Sequence, residues 1–121
     1  MGMYFSSPEE LKEIVPVQDG IWNKEYLYEY LVWSANIRFK EYINRFFGDW
    51  LADEGLADML FSFLLNDDYD GSDCQIGAAR LIARMDRRLL RDKKELLLRA
   101  QCNEVHWKRP FPDAESLAWL V

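Results

Sequence analysis

The chain has 121 residues, of which half are hydrophobic and 15% aromatic, and its formal net charge is −6. This composition excludes a disordered polypeptide, and the length suits one domain with its own core, so we expect a single domain spanning residues 1–121. Two cysteines, Cys74 and Cys102, are too few for a disulfide scaffold and lack the spacing of a metal site. No signal-peptide pattern opens the sequence, and we expect a cytoplasmic protein.

A short first helix is predicted from Ser7, a good N-cap residue, with Pro8 at the first helical position. Pro16 and the turn residues Asp19 and Gly20 should end it.

The second helix should begin after the N-cap residue Asn23. Apolar residues up to position 37 share one helical face, whereas those from 39 to 50 fall on nearly the opposite face. The helix therefore either breaks near residues 34–36 or lies between two layers. Gly48 suits the end of this helical region, and Asp49 can cap the next helix.

The run at residues 59–65 is almost wholly apolar, which is typical of a helix buried on most sides. It is too short to span a bilayer, which takes about 20 residues. We therefore expect it to form the central core helix, as part of a segment from Asp49 to Leu65 that Gly55 can divide into two short pieces.

After a loop at residues 66–73, an amphipathic pattern begins at Cys74 and a second one covers roughly Asp92 to Cys102. These segments form either one long helix or a helical hairpin. An extended connector is expected at residues 105–109, and Asp113 should cap a last short helix. No alternation of useful length indicates strands, so the predicted fold is all-α, a compact domain of about five to six helices.

The loop partly matches an EF-hand, because Asn66, Asp68 and Asp70 stand at positions 1, 3 and 5 of that pattern. The match fails at position 12, where Gly77 replaces the glutamate that completes the calcium site. We therefore predict no metal and no cofactor.

His106 is the single histidine, and the sequence pattern does not indicate that a serine or cysteine nucleophile lies beside it. Nucleotide-binding loops, zinc motifs and nucleophile elbows are also missing from the sequence. The chain is therefore not predicted to be an enzyme.

Charge is unevenly distributed: residues 1–79 carry five Lys and Arg against fifteen Asp and Glu, whereas residues 80–109 carry ten against four. Five arginines of the basic part share one predicted helical face and could bind successive phosphates of a nucleic acid. They are Arg80, Arg84, Arg87, Arg88 and Arg91. Because the domain is acidic overall, we do not expect nucleic acid as a partner and expect the protein's own carboxylates to neutralise this stripe.

The acidic part indicates a surface for a basic protein partner. Its candidate binding residues are Asp49, Asp53, Glu54, Asp58, Asp67, Asp68, Tyr69, Asp70 and Asp73. In these residues, and in its size, acidity and aromatic content, the chain resembles the immunity proteins of bacterial polymorphic toxins, including those of contact-dependent growth inhibition. The resemblance implies neutralisation of a cognate toxin, often a nuclease.

Two alternatives remain open from the sequence. One is a phage-type inhibitor or nucleic-acid mimic that blocks a host enzyme. The other is a helical module that binds nucleic acid through the arginine stripe. The sequence does not determine the oligomeric state.

Overall fold

The computed structural model describes residues 13–36, 38–69, 73–102 and 110–111, and this part of the chain is mostly helical. Its α-helices are α1 (Lys24–Trp33), α2 (Lys40–Phe47), α3 (Glu54–Leu64), α4 (Asp73–Ile82), α5 (Arg87–Asp92) and α6 (Lys94–Gln101). Two single-turn 3-10 helices cover Gly48–Trp50 and Asp67–Tyr69. The prediction of an all-α fold with about five to six helices is confirmed. The helices predicted from Ser7 and from Asp113 and the connector at 105–109 fall at least partly outside the described residues.

A small β-hairpin precedes α1, which departs from the expectation that the chain has no strands. Strand β1 (Val17–Gln18) pairs antiparallel with β2 (Ile21–Trp22), with Val17 opposite Trp22. Asp19 and Gly20 form the turn, with φ angles of 53° and 79°. A two-residue hairpin turn needs such positive φ values, and Asp-Gly is one of the sequences that adopts them most readily.

The helical region between Asn23 and Trp50 breaks, as the first of the two predicted alternatives required. The carboxamide oxygen of Asn23 accepts a hydrogen bond from the Tyr26 amide at 3.0 Å, so the predicted cap of α1 is confirmed. α1 ends at Trp33, and α2 begins at Lys40. The break lets the apolar residues of both helices face the same core.

An aromatic cluster joins the hairpin to α1 and α2. The Trp22 ring stacks on Phe47 at 6.1 Å between centroids and meets Trp50 edge-on at 5.3 Å. Tyr30 packs against Phe46 and Phe47, and its hydroxyl donates a hydrogen bond to the Ile14 carbonyl at 2.9 Å. The hairpin is therefore packed against the helical core.

Helix α3 is central, as predicted from its apolar run, and Leu56, Leu60 and Phe63 are fully buried. Two details differ from the prediction. Asp53 caps α3 instead of Asp49, and Gly55 lies in its first turn, so the glycine does not divide the helix. At the other end, the buried Gln75 amide donates hydrogen bonds to carbonyls of Phe63, Leu64 and Asn66 at 3.1–3.4 Å.

Helix α4 packs against both α1 and α3. Gly77 makes the contact with α1 possible, because a Cβ there would lie 2.6 Å from the Leu31 carbonyl oxygen. The region that the sequence left as one helix or a hairpin is interrupted twice, at residues 83–86 and at Lys93. α6 then packs on α3 and α5, and the side chain of Gln101 exchanges two hydrogen bonds with the backbone of Phe111.

Candidate partner-binding surfaces

Asp53, one of the predicted binding residues, makes its main contacts inside the protein. Its Oδ2 accepts a hydrogen bond from the Trp22 indole N–H and another from the Leu56 amide, both at 2.8 Å. The first fixes the hairpin to α3, and the second caps the helix. Asp53 is half-buried, so its carboxylate has a structural role whether or not a partner also reaches it.

Glu54 and Asp58 lie one turn apart on α3, and both face Lys93. The Lys93 ammonium is 2.7 Å from a carboxylate oxygen of Asp58 and 3.6 Å from one of Glu54. The hydrogen bond to Asp58 is the main reason that the pKa of Lys93 is raised. Both carboxylates remain exposed, but one positive charge partly offsets the two negative ones.

An exposed acidic corner forms where the hairpin meets the start of α3. We define it by Asp19, Ile21, Asp49 and Glu54, all of which are exposed. The Gly20 carbonyl oxygen would be 3.8 Å from a Cβ on Gly55, so the hairpin turn lies directly over the first turn of α3. Ile21 is 75% exposed, the most exposed large apolar side chain in the described part of the chain.

Asp19 and Ile21 were not among the predicted binding residues. The signal that could have identified them is the Asp-Gly pair between Val17-Gln18 and Ile21-Trp22, which is a hairpin pattern. Adjacent residues of a strand point their side chains to opposite faces of the hairpin. When one of two adjacent apolar residues is buried, the other is therefore left in solvent. Trp22 is buried and Ile21 is therefore exposed.

The second acidic group follows the end of α3. Asp68 and Asp73 are exposed. Tyr69 is half-buried, since its ring packs against Phe63 at 5.1 Å and Tyr28 at 5.8 Å. This contact anchors the loop to the core. The Asp67 side chain and Asp70 lie outside the described residues.

The predicted binding residues therefore form two groups. Asp49, Asp53 and Glu54 lie at the start of α3, whereas Asp68 and Tyr69 follow its end. An 11-residue helix at a rise of 1.5 Å per residue separates the groups by about 16 Å. A single small contact cannot use both groups, but a protein interface of ordinary size can span that distance.

The arginine stripe is divided between two helices. Arg80 belongs to α4, Arg84 follows it, and the other three belong to α5. The Arg84 guanidinium donates hydrogen bonds to the Asn44 side-chain oxygen at 3.2 Å and to the Asn44 carbonyl at 3.3 Å. Within the described residues, no salt bridge joins Arg80, Arg84 or Arg88 to a carboxylate.

The two cysteines are free thiols in different environments. Cys74 is fully buried, which raises the pKa of its thiol to about 12, whereas Cys102 is exposed. Within the ranges that the structure describes, no cluster of three His, Cys, Asp or Glu residues could hold a metal ion. His106 and residues 70–72 of the calcium-like loop fall outside those ranges.

None of the helices in the described part of the chain is long and apolar enough to cross a membrane. No protein family, curated protein or solved structure matches the chain.

Proposed function

We propose that this chain is a non-catalytic binding protein that covers and neutralises a basic protein partner, in the manner of a cytoplasmic immunity protein acting on a cognate bacterial toxin. The observation that supports this proposal is the acidic corner. Asp19 and Ile21 are exposed on a hairpin that Asp53 and the aromatic cluster hold against the start of α3, and the carboxylates of Asp49 and Glu54 are exposed on either side of Asp53 in the sequence.

The corner combines the two features that a protein interface needs. Carboxylates attract a basic surface and can raise the association rate to about 10⁸–10⁹ M⁻¹s⁻¹ at low salt. An apolar side chain at the centre of the contact supplies burial that slows dissociation. Ile21 can do this at low entropic cost, because the backbone that carries it is already ordered.

A nuclease toxin would suit such a partner, since its substrate-binding groove is positively charged. Carboxylates that enter the groove replace the phosphates of the substrate and block its access. The identification of a toxin as the partner rests on the resemblance of the sequence, and the acidic corner supports only the basic character of the partner.

The test is affinity capture from a bacterial lysate, with the purified chain as bait, a salt step for elution and mass spectrometry for identification. We expect one basic protein at near-equal stoichiometry. The combination Asp19→Asn, Asp49→Lys and Glu54→Lys should slow its association at least tenfold at low salt. Asparagine is chosen at position 19 because it tolerates the positive φ of 53° there.

The matched control is Asp92→Lys with Glu95→Lys, which reverses two exposed carboxylates on α5 and α6. It should leave association within about twofold of the unmodified chain, because neither carboxylate belongs to the acidic corner and Lys93, which lies between them in the sequence, keeps its contacts with Asp58 and Glu54. The proposal would be contradicted if the corner variant and the control variant slowed association equally, or if nucleic acid alone were captured.

A second set of variants locates the surface. Reversal of Asp67, Asp68 and Asp70 to Lys changes the sequence that follows α3, whereas the corner lies at the start of this helix, which is about 16 Å long. If this set weakens binding and the corner set does not, the partner contacts the loop instead. If both sets weaken binding, the interface extends along α3.

A further inference from the structure

A small pocket lies between α1, α2 and α4, on residues that the proposed function does not use. Its floor is apolar and consists mainly of Leu31, Ile43, Phe47 and Leu81. The pocket lies beside the close contact between α4 and α1 at Gly77. Because Gly77 has no side chain, its backbone can approach the Leu31 carbonyl and the Ser34 hydroxyl of the α1 region.

Three cationic side chains surround this apolar floor. Lys40, Arg80 and Arg84 line the pocket, and no aspartate or glutamate is among the described residues that line it. Within the described part of the chain, none of the three forms a salt bridge. Three like charges around one opening repel each other, and an anion bound between them would relieve that repulsion.

One of the three cations is already oriented. The Arg84 guanidinium is held by the side-chain and backbone oxygens of Asn44 at 3.2 and 3.3 Å. Two of its five N–H groups are used there, which leaves others to bind an anion. A guanidinium that is fixed before binding loses less rotational freedom when the ligand arrives.

We propose that this pocket binds a small organic anion, a carboxylate with a short apolar tail. The carboxylate would lie between Lys40, Arg80 and Arg84, and the tail would contact the floor. The cavity volume of about 40 Å³ holds the centres of about three water-sized groups, which limits the tail to a few carbon atoms. Arginine suits a carboxylate because its planar fork can donate two parallel hydrogen bonds.

This site is independent of the acidic corner. It involves side chains of opposite charge on other helices, and its test requires no protein partner. Failure of one proposal therefore leaves the other unaffected.

The experiment is a titration of the ¹⁵N-labelled chain with acetate, propionate and butyrate at constant ionic strength, followed by the amide shifts of residues 31, 43, 44, 77 and 80. We expect saturable shifts at these amides and a Kd that falls about fourfold for each added methylene, as expected from about 0.8 kcal/mol per buried CH₂. Butyramide, which has the same tail without the charge, should bind at least tenfold more weakly.

Two variants test the charges. Arg80→Gln and Lys40→Gln should each weaken butyrate binding at least fivefold, whereas Arg88→Gln, at an exposed arginine outside the pocket, should leave it unchanged. All three positions are exposed, and a thermal unfolding curve for each variant confirms that it is folded. Equal binding of acetate and butyrate, or undiminished binding by both pocket variants, would overturn the proposal.

Discussion

The carboxylate of Asp53 stabilises the fold in addition to carrying a negative charge. It caps α3 and accepts the indole hydrogen bond of the buried Trp22. Asp53→Ala should lower the free energy of unfolding by about 2–3 kcal/mol, because it removes a cap and leaves a buried donor unpaired. Asp53→Asn keeps an oxygen acceptor and should cost about 1 kcal/mol or less.

Urea unfolding of both variants, monitored by tryptophan fluorescence, checks this difference. If the two substitutions are equally destabilising, the charge of Asp53 matters more than its acceptor geometry. The asparagine variant is also the suitable one for partner binding, since it removes the charge and preserves the hairpin.

Glu29 is a buried carboxyl group on α1, with only 4% of its surface exposed, and its Oε1 has no hydrogen-bond partner among the residues that the structure describes. Burial raises the pKa of Glu29 above its usual 4.5. The folded state therefore keeps this proton to higher pH than the unfolded state, so its contribution to stability falls as pH rises above about 4.5. Glu29→Gln removes the titration and should raise Tm at pH 7 relative to the unmodified chain.

Differential scanning calorimetry at pH 7 and pH 4 tests this prediction. The gain in Tm from Glu29→Gln should shrink at pH 4, where Glu29 of the unmodified chain is protonated. Glu25→Gln, at an exposed glutamate in the first turn of the same helix, is the control and should give no gain in Tm at pH 7, because a carboxylate at a helix N-terminus is stabilising. If Glu29→Gln raised Tm equally at both pH values, the ionised form of Glu29 would not be the cause of the lower stability of the unmodified chain.

Residue roles of this kind were the hardest to predict from the sequence. Asp53 and Glu54 are adjacent carboxylates, yet one is bonded to Trp22, 31 positions away, and the other is exposed and faces Lys93. Tyr69 was predicted to contact a partner, which stays a prediction, and its packing against Phe63 was not evident from the sequence. Only the tertiary fold determines which side of a polar residue is covered.

The contact between α1 and α4 depends on Gly77. A Cβ at this position would lie 2.6 Å from the Leu31 carbonyl oxygen and 2.8 Å from the Ser34 hydroxyl, so the helices would have to separate. Gly77→Ala should lower the free energy of unfolding by about 1–3 kcal/mol, as overpacking of a close contact does. The higher helix propensity of alanine offsets about 1 kcal/mol of this loss.

Gly48→Ala is the matched control, because none of the described residues has an atom within 4 Å of its Cβ position and its φ is −54°. This substitution should be neutral or stabilise by about 0.4–1 kcal/mol, since it restricts the unfolded chain. Chemical denaturation of the two variants gives the comparison. Substitutions with the same sign and size would show that α1 and α4 are not in close contact at Gly77.

Elements with strong local signals were predicted well. The cap at Asn23, the break between α1 and α2 and the apolar core helix all follow from residues close in sequence. The hairpin was missed because its strands have two residues each, too few for an alternation to show. The end of α3 was also predicted closely, at Leu65, although the sequence did not show that Gln75 of the next helix hydrogen-bonds to the carbonyls there.

The acidic and basic parts of the sequence do not fold as two separate units. The boundary between the two parts falls inside α4, which packs against α1 and α3, and Lys93 of the basic part pairs with Asp58 of the acidic part. The domain thus keeps an acidic corner and a basic pocket within one small fold. The assignment of all 121 residues to a single domain stays a prediction.

The contrast between the two thiols has a practical consequence. At neutral pH the buried Cys74, with its pKa near 12, holds almost no reactive thiolate, whereas Cys102 is accessible. A maleimide dye should therefore attach to Cys102 alone, without any engineered cysteine. The native chain thus offers one fixed attachment point, from which fluorescence anisotropy could follow its encounter with a partner at nanomolar concentration.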